Sequence, residues 1–280
     1  MGIHSEAEVE RLSDLAWTLR VDVIDMIYTA ESGHLGGSFS AAEIVTALVF
    51  HHLNIDPRNP QMLERDRFIL SKGHAAPLLY AALARKGFFP LEELKTFRQL
   101  DSRLQGHPDR LRTPGVEMTS GVLGHGVAVG VGLALAAKLD KAKWKVYVLV
   151  GDGEIQAGVV WEGAMAAAKY RLGNLAVILD YNDVQLDGPV QEVMPIRPVA
   201  EKWRAFGWLV TEINGHSLRE ILDTLEFLGN VHDQPQMIIA HTTKGKGVSF
   251  MEGDSRWHGR APNNDEYARA RKELLERRPK

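Results

Sequence analysis

The apolar positions of the chain follow two patterns, short continuous runs and longer stretches with helical spacing. Five short runs are mostly apolar, on both faces, which is typical of strands that helices cover on both sides. These runs are residues 67–70, 145–150, 175–181, 208–213 and 236–241. Because helical stretches separate them, they predict βαβ units. The pattern therefore predicts an α/β fold, a mostly parallel β-sheet with helices on both faces.

Capping boxes indicate where three of the helices begin. In each box a serine precedes a glutamate by three residues, so that the serine side chain can accept a hydrogen bond from the first turn. The pairs are Ser5 with Glu8, Ser40 with Glu43, and Ser217 with Glu220. They predict a first helix that runs to about Glu31, a second through residues 41–53, and a late helix after Ser217.

Composition narrows the class of protein. The 280 residues are 45% hydrophobic and 25% charged, which fits one large α/β domain. A net charge of −3 argues against nucleic-acid binding, and the lack of cysteine excludes disulfides, thiolate zinc sites and thiol nucleophiles. No apolar run approaches the roughly 18–20 residues of a membrane span, and the start lacks a signal-peptide pattern. We therefore expect a cytoplasmic protein that does not bind a membrane.

Polar residues follow two of the predicted strands. Asp152, between two glycines, comes after one strand, and Asn182 comes after the next. Ligands of open parallel sheets bind beyond the carboxyl ends of the strands, so these two side chains are expected to lie side by side at a binding site. A carboxylate, an amide oxygen and a loop carbonyl are suited to Mg²⁺ or Ca²⁺. A helix from about Val159 would direct its N-terminus at a phosphate group. The alternatives are a simple turn at Gly-Asp-Gly and an Asx turn at Asn182.

Four histidines lie in loops beside glycine or turn residues: His34, His74, His107 and His258. Loops often carry site residues, and imidazoles transfer protons near neutral pH. The alternative for each is a solvated or internally bonded side chain. A zinc site is disfavoured, since no His-Glu-x-x-His helix is present.

Six motifs resemble, in the same order, those of the amino-terminal part of transketolases. Residues 151–182 match the thiamine-diphosphate signature, which begins Gly-Asp-Gly and ends in asparagine about thirty residues later. The other five are SGH at 32–34, DRFILSKGHAAPLLY at 66–80, GHP at 106–108, PGVEMTSGVLGHG at 114–126 and TTKGKGVSFMEGDSRWHG at 242–259. Over residues 10–262 the chain is similar to the amino-terminal subunit of a split, two-chain transketolase.

The resemblance implies a thiamin diphosphate-binding fold, with residues 1–280 as one diphosphate-binding domain. The implied ligands of Mg²⁺, for which Ca²⁺ or Mn²⁺ could substitute, are Asp152, Asn182 and the main-chain carbonyl of Val184. The implied contacts to thiamine diphosphate are His74, Gly121, Val122, Leu123, Gly153, Asn182, Lys244 and His258. The implied catalytic residues, which would face the sugar, are His34, His107 and His258.

The implied reaction is transfer of a two-carbon ketol unit from a ketose or its phosphate to an aldose or its phosphate. In the family, the glutamate that activates the aminopyrimidine ring comes from a separate pyrimidine-binding domain. We expect that domain and the carboxyl-terminal domain to be absent from this chain. A carboxyl-terminal partner subunit would supply them, in an α₂β₂ heterotetramer.

Three positions depart from the family pattern. Ser255 replaces a histidine, Ala157 replaces a glutamate and His125 replaces a glutamine. The replaced glutamate belongs to an acidic cluster that links two active sites, and its companion matches Glu162. The link between sites is therefore incomplete in this sequence, which indicates a specialised member.

Other readings stay open beside transketolase. Within the cofactor class these are the α subunit of a 2-oxo acid dehydrogenase and a deoxyxylulose-phosphate synthase-like chain. Outside it are a Mg²⁺-dependent phosphatase and a non-catalytic assembly subunit. The SKGHAAPLLY and SGH motifs favour transketolase over the dehydrogenase, and the presence of Asp152, Asn182 and His34 favours a catalytic chain.

Overall fold

A five-stranded sheet forms the centre of the computed structural model, which describes residues 4–276. The strands are β1 (Arg67–Leu70), β2 (Val146–Gly151), β3 (Leu175–Tyr181), β4 (Leu209–Asn214) and β5 (Gln236–His241). They are parallel and ordered β1-β2-β3-β5-β4. All five predicted strands are thus confirmed, although β2 and β4 are shifted by one residue.

Helices cover both faces of the sheet, as predicted. They are α1 (Glu6–Ala30), α2 (Gly36–Ser40), α3 (Ala42–Ala47), α4 (Ala76–Lys86), α5 (His125–Leu139), α6 (Gly158–Lys169), α7 (Val190–Val193), α8 (Val199–Ala205), α9 (Leu218–Gly229) and α10 (Asn264–Glu276). Shorter turns of 3₁₀ helix include Gly73–Ala75, Leu91–Thr96, Gly153–Gln156 and Ser255–Trp257. None of the helices within residues 4–276 is both long and apolar enough to span a membrane.

Each face of the sheet packs against its own hydrophobic core, as the side chains of β2 show. Tyr147 and Leu149 point to the core that contains α1, α3, α4 and α9. Val148 and Val150 point to the opposite core, with α5, α6 and α8. Successive strand residues face opposite sides, so a strand covered by helices on both sides is apolar at most positions on both faces.

Two of the three predicted capping boxes are confirmed. The Ser5 hydroxyl accepts from the backbone N–H of Glu8 at 3.2 Å and begins α1. The Ser217 hydroxyl accepts from the backbone N–H of Glu220 at 3.3 Å and begins α9. Both caps lie near the protein surface, where a local hydrogen bond meets little competition.

The capping box predicted at Ser40 is wrong. Ser40 is the last residue of α2, and its hydroxyl lies 2.6 Å from Asp180 Oδ2. Glu43 forms an ion pair with Arg20 instead of capping a helix. Tertiary partners thus take both polar side chains of the expected cap. The predicted single helix is present as α3 followed by a π-helical turn, Leu48–His52.

Two glycines allow α5 to pack closely against the sheet. A Cβ on Gly130 would stand 2.7 Å from Val148 Cγ2, and a Cβ on Gly126 would stand 2.2 Å from Ser71 Oγ. Neither distance is compatible with a larger side chain. The close approach fixes the start of α5 beside the end of β1.

Ser217→Ala is expected to lower the free energy of unfolding by about 1 kcal/mol, because the first turn of α9 loses a hydrogen-bond acceptor. Ser217→Asp keeps an acceptor at the same position and should remain close to the wild type. Urea unfolding followed by circular dichroism measures both variants. Equal stability of the Ala and Asp variants would contradict the capping role.

Candidate active site

A cavity of about 250 Å³ lies at the carboxyl ends of β2 and β3. Gly151 of β2 pairs with Asp180 of β3, so the residues that follow the two strands are neighbours. Asp152 Oδ2 accepts hydrogen bonds from the backbone N–H groups of Asn182 (3.1 Å) and Asp183 (2.5 Å). Its Oδ1 accepts from the next residue along the chain at 2.8 Å. The two strand ends therefore meet as expected.

The residues expected to bind a metal line this cavity together. Asp152, Asn182 and Val184 all contribute to its wall. Among residues 4–276 no three His, Asp or Glu side chains are grouped so that they could hold a metal ion. The expected metal ligands are instead one carboxylate, one amide and one main-chain carbonyl. Burial, and the nearby charge of Asp180, raise the pKa of Asp152 to about 6. A divalent cation would oppose that shift, and these hard oxygen donors fit Mg²⁺.

Lys244 links the expected metal ligands to the histidines. Its ammonium group donates to the Val184 carbonyl at 2.8 Å and lies 2.9 Å from His258 Nδ1. Burial lowers the pKa of Lys244 to about 8 and, together with Lys244, lowers that of His258 to about 3. His258 is therefore neutral at pH 7. Because Nδ1 accepts from the ammonium, its proton resides on Nε2.

Three of the four predicted histidines form one cluster. The ring centroids of His74 and His258 are 5.0 Å apart, and His34 lies 5.3 Å from the first and 5.5 Å from the second. Burial lowers the pKa of His34 to about 4 and that of His74 well below its usual value. His34 Nδ1 is buried and has no hydrogen-bond partner among the described residues. The cluster is thus neutral and has an unused nitrogen.

The remaining predicted residues lie beside the cavity or on its rim. His74, Leu123, Gly153, Lys244 and His258 line the wall, whereas His34, His107, Gly121 and Val122 do not. A Cβ on Gly121 would stand 3.6 Å from the ring of His107, so these two residues are adjacent. Burial and the charge of Arg98 lower the pKa of His107. Val122 and Leu123 expose 65% and 42% of their surface.

The helix predicted from about Val159 is confirmed as α6, although α6 does not line the cavity, and its proposed role towards a phosphate group stays a prediction. The wall is formed by the 3₁₀ turn Gly153–Gln156, whereas α6 begins at Gly158 and does not contribute to it. The short turn arises because Asp152 caps it through the Gly153 N–H. Of the departures from the family pattern, Ala157 precedes α6, Glu162 is exposed on α6, His125 is exposed at the start of α5 and Ser255 begins a 3₁₀ turn.

Sequence reasoning missed a buried ion pair in the cavity wall. Lys72 pairs with Asp180, and its ammonium also donates to the Gly37 carbonyl at 2.7 Å. Burial alone would raise the pKa of Asp180, but the Lys72 charge and the hydrogen bonds from Lys72, Ser40 and Thr242 together lower it. An aspartate inside an apolar strand, two residues before Asn182, was the signal that could have revealed the pair.

Glu154 is a second missed residue of the wall. One carboxylate oxygen accepts from the Gly124 N–H at 2.8 Å and from the Ser71 hydroxyl, and the other accepts from the Gly151 N–H at 3.0 Å. Burial raises its pKa. Glu154 thereby joins the ends of β1 and β2 to the start of α5. Its place directly after Gly-Asp-Gly was the available signal.

Comparison with known proteins identifies the family of the chain. Residues 12–277 match the family model described as transketolase, thiamine diphosphate binding domain. The chain belongs to the transketolase family. It is 43% identical over 270 residues, 96% of each chain, to one of the apulose-4-phosphate transketolase subunits of Phocaeicola vulgatus. It is 44% identical over 254 residues to a 6-deoxy-6-sulfo-D-fructose transketolase subunit of a Clostridium species, covering 91% of this chain and 92% of that one.

A solved transketolase shows the same fold. The crystal structure from Campylobacter jejuni superposes with a TM-score of 0.89 at 38% sequence identity, over 94% of this chain and 42% of that chain. The chain therefore spans about two fifths of that transketolase but nearly the whole length of the two relatives named as subunits. Transfer of a ketol unit is the general reaction of the family.

His34→Gln is expected to flatten the acid dependence of stability. Because burial lowers the folded-state pKa of His34 from 6.5 to about 4, the unfolded chain binds more protons within this range. The stability that depends on neutral His34 is present above pH 6.5 and is lost as the pH falls towards 4. Urea unfolding across this range should give a shallower slope for the variant, and parallel slopes would contradict the burial of an uncharged imidazole.

Proposed function

We propose that this chain is the amino-terminal, diphosphate-binding subunit of a two-chain transketolase that requires Mg²⁺. It would transfer a two-carbon ketol unit from a ketose to an aldose, each with or without a phosphate group. The observation that carries the proposal is one cavity in which oxygen donors, at Asp152, Asn182 and Val184, lie beside basic groups, at His74 and Lys244. Oxygen donors suit the metal, and the basic side chains suit the diphosphate.

The proposed binding residues form two overlapping sets, one for the metal and one for the diphosphate. Asp152, Asn182 and the Val184 carbonyl would bind Mg²⁺. The diphosphate would be bound by His74, Gly153, Asn182, Lys244 and His258, and the rest of the cofactor would lie along Gly121, Val122 and Leu123. When bound, thiamine diphosphate supplies the carbon nucleophile for the two-carbon unit, and the protein supplies position and charge.

The histidines are proposed to act on the sugar. Lys244 holds Nδ1 of His258, so that His258 presents an N–H donor at Nε2. His34, with its unused Nδ1, and His107 are proposed to accept or donate protons at the sugar hydroxyl and carbonyl oxygens. The low pKa of His34 keeps it uncharged at neutral pH, so it can accept a proton during the reaction, whereas His258 acts as the donor at Nε2.

A partner subunit is proposed to complete the site. The carboxylates of the cavity wall, Asp152, Glu154 and Asp180, each accept hydrogen bonds from this chain. Another chain would therefore supply the carboxylate for the aminopyrimidine ring, with the pyrimidine-binding and carboxyl-terminal domains. Val122 and Leu186, 65% and 59% exposed beside the cavity, offer apolar surface to it. We propose an α₂β₂ assembly, and the cytoplasmic location stays a prediction.

The substrates are proposed to be sugars with an anionic end group. The two relatives named as subunits have apulose-4-phosphate and 6-deoxy-6-sulfo-D-fructose in their names, a phosphate and a sulfonate. These relatives and the solved structure are transketolases or their subunits, which favours this activity over the dehydrogenase, synthase and phosphatase readings. A non-catalytic assembly role is an outcome of the test with the partner below.

Asp152→Ala is expected to weaken Mg²⁺-dependent binding of thiamine diphosphate at least about tenfold, roughly 1.4 kcal/mol. The variant removes the only carboxylate of the proposed metal ligands while leaving the sheet intact. Calorimetry on the purified chain, repeated with the partner, measures the affinity. Asp187→Ala, an exposed carboxylate in a neighbouring loop, is the matched control. Equal affinity of Asp152→Ala and the control would refute the metal assignment.

The purified chain alone is expected to show no ketol transfer, even with saturating Mg²⁺ and thiamine diphosphate. A cofactor held only through its diphosphate lacks the positioning that makes reactions within a site fast. Addition of a chain with a pyrimidine-binding domain should restore activity, with a rate that saturates as the partner is titrated. Robust activity without the partner would overturn the two-chain proposal, and full activity of the partner alone would indicate an assembly role.

A further inference from the structure

Three polar side chains form a hydrogen-bonded row that does not line the cavity. It consists of Arg20 in α1, Glu43 in α3 and His216 in the turn between β4 and α9, and we call it the Arg20–Glu43–His216 relay. The guanidinium of Arg20, fully buried, donates to both carboxylate oxygens of Glu43, at 2.6 and 2.7 Å. Glu43 Oε2 is also 3.0 Å from His216 Nδ1. The three side chains thus join segments that are far apart in sequence.

The relay fixes the tautomer of His216. His216 Nε2 accepts a hydrogen bond from the backbone N–H of Thr243 at 2.9 Å. Because an accepting ring nitrogen carries no proton, the neutral imidazole has its proton on Nδ1 and donates it to Glu43. Burial alone would raise the pKa of Glu43, but Arg20 and His216 hold it at about 2, so the acceptor stays ionised.

The far end of the relay is the backbone next to Lys244. Thr243 directly precedes Lys244, whose ammonium donates to the Val184 carbonyl and contacts His258. The residues on both sides are also held: the Thr242 hydroxyl donates to Asp180, and the Gly245 backbone N–H donates to the Gly36 carbonyl at 3.1 Å. His216 is the side chain that binds the backbone N–H between these two anchors.

We infer that His216, oriented by Glu43 and Arg20, is a positioning residue for Lys244. Lys244 reaches the cavity from a loop, so the position of its ammonium depends on the loop backbone. An acceptor aimed at the Thr243 N–H fixes that backbone one residue before Lys244. Without the histidine, the Arg20–Glu43 pair carries no net charge and has two hydrogen bonds. His216 adds a hydrogen bond from this pair towards the site, at the Thr243 backbone N–H. The inference rests on the proposed function, in which Lys244 binds the diphosphate.

Two substitutions separate the acceptor of His216 from its donor. In His216→Asn the amide can replace Nδ1 as the donor to Glu43 but does not reach Thr243. In His216→Gln the amide oxygen can take the place of Nε2 and accept from Thr243. His232→Asn, at an exposed histidine, is the matched control.

The first measurement is calorimetric binding of Mg²⁺ and thiamine diphosphate to the purified chain and to its complex with the partner. His216→Asn should weaken binding about 10- to 100-fold, the usual effect of losing a side chain that orients a ligand. His216→Gln should recover most of that loss, and His232→Asn should bind as the wild type does. A wild-type chain that binds no cofactor would overturn the proposed function, and this inference with it.

The second measurement is deuterium exchange of the peptide that spans residues 242–247, which does not depend on cofactor binding. Exchange should be faster in His216→Asn than in His216→Gln, although the two variants should unfold at similar temperatures. A wild type that binds the cofactor, with equal affinity and equal exchange in both His216 variants, would overturn the inference and leave the proposed function standing.

Discussion

A fully buried carboxylate at the end of β3, Asp180, joins the segments that surround the cavity. It pairs with Lys72 after β1, accepts from Ser40 at the end of α2 and from Thr242 after β5, and accepts from Asn182 Nδ2 at 3.2 Å. An isolated charge at this depth would be strongly unfavourable, and Lys72, Ser40 and Thr242 together lower the pKa of Asp180 and keep it ionised. The shape of the site therefore depends on satisfying one charge.

The ion pair between Asp180 and Lys72 also determines which charged groups of the cavity wall remain available to ligands. Lys72 and Asp180 neutralise each other, and Glu154 accepts three hydrogen bonds from this chain. The groups left for ligands are therefore Asp152 and Lys244, one of each sign. Burial shifts the pKa of Asp152 to about 6 and that of Lys244 to about 8, in each case towards the uncharged form. A metal beside Asp152 and an anion beside Lys244 would reverse both shifts, since each favours the charged form. The electrostatics of the wall thus agree with a metal-bound diphosphate.

The sequence predicted those parts of the structure that depend on local pattern. The strands were predictable because burial on both faces requires continuous apolar runs, and the caps at Ser5 and Ser217 because their hydrogen bonds are local. The Ser40 box failed because its hydroxyl binds a residue 140 positions away. Motifs placed Asp152, Asn182 and Lys244 in one cavity, since parallel strands bring successive loops to one edge of the sheet.

Contacts between distant segments could not be predicted in this way. Lys72 and Asp180 are 108 residues apart, and Glu43 and His216 are 173 apart. The packing of helices on the sheet determines which of these residues meet, and no single segment of the sequence encodes that packing. Charged residues at otherwise apolar positions were the available sign, because burial of a charge requires a partner even when the partner is unknown.

The contact between Lys244 and Val184 makes the two proposed ligand sites interdependent. The Val184 carbonyl, proposed to bind Mg²⁺, accepts the Lys244 ammonium, which is proposed to bind the diphosphate. A cation approaching this carbonyl is repelled by the ammonium as long as that contact persists. A diphosphate beside Lys244 would attract the ammonium more strongly than a neutral carbonyl does and would leave the Val184 oxygen available to a metal. Under the proposed assignments, metal and diphosphate therefore bind more favourably together than either binds alone, and the loop that the Arg20–Glu43–His216 relay fixes is the element through which they are coupled.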